Sequence, residues 1–108
     1  MLYEFRIYYA NPDRLPEVHE RLENHAMRLF PKYGIKVIDY FTAADGKEEL
    51  YYICEFSDME VCNKAWEQFE KDPEWQEIRT KSHKNGILVK SIARYFMERL
   101  PLADINNG

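Results

Sequence analysis

The segment Tyr3-Glu4-Phe5-Arg6-Ile7-Tyr8-Tyr9 constrains the fold of this chain more than any other. Its aromatic and β-branched residues read as a strand, yet it carries a carboxylate and a guanidinium in its interior. Side chains alternate along a strand, so Glu4, Arg6 and Tyr8 share one face while Tyr3, Phe5, Ile7 and Tyr9 share the other. A charged pair on a strand apolar enough to be buried must either pair internally or line a polar pocket.

The rest of the chain supplies partners for this strand. After Leu2 to Tyr9, Asn11-Pro12-Asp13 turns the chain into a helix expected from near Arg14 to near Tyr33. Its inward stripe is Leu15, Val18, Leu22, Ala26 and Leu29, and Gly34 stops it. Ile35 to Ala43 and Leu50 to Phe56 read as strands joined across Ala44-Asp45-Gly46-Lys47. Ser57-Asp58-Met59-Glu60 has the form of a capping box with Ser57 as cap, and the helix it opens is expected to turn Val61, Ala65, Trp66 and Phe69 inward. Asp72-Pro73-Glu74 restarts a short helix, with Asp72 capping and Pro73 in the first position. Leu88 to Phe96 reads as the last strand.

This order, β-α-β-β-α-β, predicts an α+β, ferredoxin-like fold: a four-stranded antiparallel sheet with both main helices on one face. With 108 residues the chain is expected to be one domain over residues 1–100 with a polar tail over 101–108. Helices on one face leave the other open, but the strands are apolar on both sides: Leu50, Tyr52, Cys54 and Phe56 face one way, Tyr51 and Ile53 the other. Strands of that kind are covered on both faces, so a homodimer packed sheet to sheet is expected.

Composition removes several function classes. The net charge is −4, with basic residues dispersed among acids, so neither nucleic acid nor an anionic membrane is an expected partner. No apolar run approaches the ~20 residues of a membrane span, and nothing at the N-terminus reads as a targeting segment. A cytoplasmic protein with Cys54 and Cys62 as buried, reduced thiols is expected. The isolated glycines build no phosphate loop and no serine sits in a nucleophile elbow, so no cofactor is assigned.

Three segments together resemble the NIPSNAP family: Tyr3-Glu4-Phe5-Arg6-Ile7-Tyr8, the passage Leu29-Phe30-Pro31-Lys32-Tyr33-Gly34-Ile35-Lys36-Val37, and, most specific, Asp72-Pro73-Glu74-Trp75-Gln76. The resemblance spans about residues 2–96 in order. It implies a dimeric α/β barrel and a site between the sheet and its own helices. That superfamily also contains antibiotic-biosynthesis-type monooxygenases, haem-degrading enzymes and small isomerases, while NIPSNAP members mostly lack an assigned reaction.

The candidate pocket residues are Glu4, Arg6, Tyr8, His25, Trp66 and Trp75. Arg6 either bridges carboxylates such as Glu4 or Glu55, fixing register, or binds a ligand anion while Tyr8 exchanges a proton. His25, on the expected inward stripe of the first helix, is either a satisfied core histidine or a general base. Trp66, Phe69 and Trp75 pack the core or wall an apolar cavity. His19 and Glu23 have the spacing of a metal pair but are expected on a solvated face. Trp66 and His83 match the haem-degrading branch poorly: strand one has no Asn, and His83 is expected in a surface loop. The reading is a homodimer binding a small, partly apolar or anionic molecule, with a cofactor-independent monooxygenase or isomerase as the alternative and a non-catalytic interaction module as a third.

Overall fold

The computed structural model describes residues 1–102, so the tail expected beyond Pro101 lies outside them from residue 103 on. Strand β1 (Leu2–Ala10) is followed by a long helix, α1, over residues 15–33. Then come β2 (Lys36–Thr42), β3 (Glu49–Phe56), α2 (Met59–Glu70), α3 (Pro73–Ser82) and β4 (Val89–Met97). The strands form one sheet in the order β2-β3-β1-β4 with every pair antiparallel, the ferredoxin-like arrangement expected from the element order.

The register decides which side chains meet. Glu4 lies opposite Cys54 and Phe96, Arg6 opposite Tyr52 and Arg94, and Tyr8 opposite Leu50 and Ile92. Directly opposed residues share a face, and this is the face the helices cover. Leu50, Tyr52, Cys54 and Phe56 are buried there against Val18, Leu22 and Phe30 of α1 and Trp66 and Phe69 of α2.

Helix α1 is not uniform. It runs as an α-helix over Leu15–Arg21, a π-helical turn over Leu22–Ala26, an α turn over Met27–Leu29 and a 3₁₀ turn over Phe30–Tyr33. A π turn takes more residues to come round than an α turn. Arg21 and Leu22, three and four residues after Val18, are both buried, and across the π turn the next buried position is Ala26. This corrects the expectation for His25, which is displaced to the flank with Nε2 3.3 Å from Glu20. Gly34, at φ 76°, closes the helix in the left-handed conformation that glycine adopts without strain, and the Ile35 amide donates to the Phe30 carbonyl at 3.0 Å.

The second helix begins one residue later than its sequence suggests. Asp58, not Ser57, is the cap, its carboxylate accepting from the Val61 amide at 2.8 Å. The inward stripe is accordingly Cys62, Ala65, Trp66 and Phe69, and Val61 is exposed. The third helix starts as expected: Asp72 accepts from the Trp75 amide at 2.9 Å with Pro73 in the first turn. A cap of this kind is worth about 1 kcal/mol. Asp72 also accepts from the Tyr33 hydroxyl, tying the end of α1 to the start of α3.

The opposite sheet face carries Phe5, Ile7, Tyr51, Ile53 and Tyr95, and no described residue of this chain covers it. Tyr95 is 55 % exposed and Phe41 54 %. No described helix is long and apolar enough to cross a membrane.

Candidate functional site

Glu4 is completely buried (0 % exposed) and accepts four hydrogen bonds. Oε2 takes Arg6 Nη1 at 2.8 Å and Arg94 Nε at 2.6 Å; Oε1 takes Trp66 Nε1 at 2.7 Å and, more weakly, Cys62 Sγ at 3.3 Å. Burial alone would raise its pKa, but the bonds from Arg94, Arg6 and Trp66 outweigh it and hold the carboxyl below its ordinary value. Glu4 therefore lies beneath the cavity described below and does not line it. Its work is to fix Arg6, whose guanidinium also lies over the Trp66 ring at 4.0 Å. Glu55, the other carboxylate considered for Arg6, sits 3.5 Å from Lys36 instead.

Arg6 Nε donates to the Tyr52 hydroxyl at 2.8 Å, and that oxygen lies 2.7 Å from the Tyr8 hydroxyl. Tyr52 is fully buried and its pKa is raised by burial and by Tyr8. Tyr52 accepts from Arg6, so its own hydrogen has one acceptor among the described residues, the Tyr8 oxygen. The reverse orientation would strand a buried donor, which costs about 1–3 kcal/mol. The hydrogen bonds thus run from Arg6 through Tyr52 to Tyr8, and the Tyr8 hydrogen is left without an acceptor among the described residues.

Tyr8 lines a cavity of about 370 Å³ between α1, the α2–α3 junction and the β1–β4 half of the sheet. Val18, Leu22, Phe69, Trp75 and Ile92 give it apolar walls, and Arg6, Arg21, Arg79 and His83 reach it as well. Arg21 is the residue that sequence reasoning missed. It is 7 % exposed and has no carboxylate partner among the described residues. Nη1 donates to Ser82 Oγ at 2.8 Å and approaches His83 Nε2 at 3.3 Å, while Nε and Nη2 donate to no described group. Burial pushes the Arg21 pKa down, the Arg79 charge adds to this and Tyr8 opposes it. Arg79, by contrast, is answered by Glu70 at 2.7 Å. The Trp75 indole N–H beside the cavity is also buried without a partner among the described residues. One signal could have found Arg21: it stands three residues after Val18, on the inward stripe of an ordinary α-helix, although an arginine at such a position usually reads as solvated.

Of the sequence candidates, Arg6, Tyr8, Trp66 and Trp75 meet at this cavity, while Glu4 lies under it and His25 away from it. His83, expected in a surface loop, instead caps α3 and lines the cavity, with its pKa lowered by burial and by Arg21 and Arg79. His19 is occupied on the surface between Glu23, 2.9 Å away, and the Tyr40 hydroxyl, 2.5 Å away. Among the described residues no cluster of His, Cys, Asp or Glu is arranged to hold a metal ion. Both cysteines are free and buried, and burial pushes Cys54 up to about 12 and Cys62 up to about 11, so both stay thiols.

A ferredoxin-like sheet with an Arg-bearing first strand and a cavity under its helices defines a small α+β protein of the kind the three sequence segments suggested. The NIPSNAP profile matches residues 3–103, and the chain belongs to the NIPSNAP family. Its fold is similar to that of an uncharacterized NIPSNAP domain protein from Burkholderia xenovorans (TM-score 0.79, 16 % identity, covering 95 % of this chain and 98 % of that one). It is equally similar to that of a NIPSNAP family protein with unknown function from Agrobacterium tumefaciens str. C58 (TM-score 0.80, 18 % identity, 95 % and 91 %). An antibiotic biosynthesis monooxygenase shares the fold at greater distance (TM-score 0.61, 12 % identity, 94 % and 100 %). No curated protein matches the sequence.

Proposed function

We propose that this NIPSNAP protein binds a small, partly apolar carboxylate in the cavity between sheet and helices. The observation that carries the reading is Arg21: a buried guanidinium with no carboxylate partner among the described residues, on the wall of an apolar cavity. Buried charges are paired, and Nε with Nη2 form the side-on edge of the guanidinium, which a carboxylate meets with two parallel hydrogen bonds. A volume of about 370 Å³ suits a metabolite-sized molecule. It also argues against a purely structural module with a filled core.

The alternative, a cofactor-independent monooxygenase or isomerase, needs a group that takes a proton from the substrate. Glu70 is engaged by Arg79, and the Nε2 of His83 faces Arg21, so the lining favours binding over proton abstraction. We infer further that the protein works as a homodimer closed through the apolar sheet face, where Phe5, Ile53 and Tyr95 offer a self-complementary patch to a second copy. Two free cysteines accord with a reducing, cytoplasmic setting.

The test is calorimetric titration with phenylacetate and hexanoate, each against its neutral amide. The acids bind and the amides do not, and Arg21→Gln weakens binding at least tenfold while the protein stays folded. Equal binding of acid and amide, or indifference to Arg21→Gln, overturns the proposal.

A further inference from the structure

We propose that Tyr8 is an oxyanion donor: it binds the ionised form of a phenol- or enol-type oxygen on the ligand, and Arg6, through Tyr52, sets its polarity from behind. The inference deepens the carboxylate reading and rests on it for the ligand's other end. Its own basis is the direction of the hydrogen-bond chain. Arg6 is fixed as a cation by Glu4, 2.8 Å from Nη1, and spends Nε on Tyr52, also at 2.8 Å. Tyr52, fully buried, has among the described residues only the Tyr8 oxygen at 2.7 Å to receive its hydrogen. Each bond in such a chain polarises the next, so the cavity meets a Tyr8 hydrogen with a guanidinium two bonds behind it.

The surroundings have the same sign. Arg21 and Arg79 also reach the cavity, and Glu70, the one carboxylate among its described lining residues, is held by Arg79. Three guanidiniums, those of Arg6, Arg21 and Arg79, reach the cavity against one carboxylate among its described lining residues, so an oxygen that carries charge is favoured there over a neutral hydroxyl. An ionised oxygen meets a preorganised donor in a partly dry site, where such bonds are strongest. The ligand class is therefore a hydroxyaryl or enol carboxylic acid: carboxylate on the Nε/Nη2 edge of Arg21, apolar body against Phe69 and Trp75, second oxygen on Tyr8. Arg6 is a positioning residue, acting through Tyr52.

The probes are 4-hydroxy-3-nitrophenylacetate, which carries both groups, and 4-nitrophenol, which carries only the phenol; in both, the ionised form absorbs visible light. Absorbance against pH at saturating protein should place the ionisation midpoint of each bound phenol about one pH unit below its free value. Tyr8→Phe and Tyr52→Phe each return the midpoint to the free value with binding retained. The second variant removes no atom from the cavity wall, so its effect reads the relay alone. Arg21→Gln weakens the phenylacetate probe but not 4-nitrophenol, and leaves the bound midpoint shifted. An unshifted midpoint, a shift that survives Tyr8→Phe, or failure of both probes to bind while plain carboxylates bind overturns the inference. A shifted midpoint for 4-nitrophenol with no binding of any carboxylate supports it and overturns the Arg21 reading instead.

Discussion

Replacing Glu4 by Gln keeps the shape of the side chain and removes the charge at the centre of the buried network. The amide oxygen can serve only one of the two donor pairs that the carboxylate serves now. Turned toward Trp66 and Cys62, it presents its NH2 to Arg6 Nη1 and Arg94 Nε; turned the other way, it meets the indole and the thiol. In the first orientation the buried Arg6 contact is lost, a charge-assisted bond worth about 2–3 kcal/mol. The Arg94 side chain is 40 % exposed, so its contact counts at the surface value of about 0.5–1 kcal/mol. The expected loss is about 3 kcal/mol, a large part of the ~5–15 kcal/mol that holds a small domain together. Urea unfolding at pH 7 measures it as a midpoint lowered by about 2 M at an unchanged slope of ~1.5 kcal/mol/M.

The pH dependence follows from the depressed Glu4 pKa. A carboxyl with a lowered folded pKa contributes stability above its unfolded pKa of about 4.3 and loses it as pH falls through the folded value. The wild-type advantage over Glu4→Gln should therefore shrink as pH drops below about 4. A cost below about 1 kcal/mol at pH 7, or a difference that stays constant down to acid, would refute the account of Glu4 as the anchor of Arg6.

Tyr95→Asp sets a charge on the open sheet face, where Tyr95 is 55 % exposed in the single chain. Sedimentation velocity should show the wild type as a dimer and the variant as a folded monomer; a wild-type monomer rules the sheet-face dimer out. His83 has its pKa lowered by burial and by the charges of Arg21 and Arg79, so a carboxylate that neutralises Arg21 should raise it. Carboxylate binding then takes up protons and strengthens as pH falls through the range in which His83 titrates. Calorimetry in buffers of different ionisation heat checks this, and buffer-independent heats would remove His83 from the linkage.

How legible the site was varied from residue to residue. The alternation of β1 was enough to place Glu4, Arg6 and Tyr8 on one face, because a period of two leaves no freedom once the strand is recognised. It left open whether Arg6 was structural or functional. The register does not resolve that as a choice: Nη1 is held by Glu4, while Nε acts on Tyr52 and through it on Tyr8. The Ser57 cap and the inward Val61 failed together, since one residue of slip at a helix start rotates every later position. His25 leaves the inward stripe at the π turn over Leu22–Ala26, whereas Arg21 lies on that stripe three residues after Val18 and escapes notice only because charged residues are seldom buried.

The sequence by itself determined the element order, the β-α-β-β-α-β fold, the helix stop at Gly34 and the Asp72 cap, because each depends on local periodicity or on the backbone preference of a single residue. Its motifs also pointed to the NIPSNAP family. Only the tertiary structure decided that Glu4 is fully engaged, that Tyr8 finds no acceptor for its hydrogen among the described residues, and that Arg21 and His83 share a cavity with Arg6. Those facts depend on which polar atoms find partners across strands and helices far apart in the chain. Hydrogen-bond accounting of that kind exists only once the elements are packed.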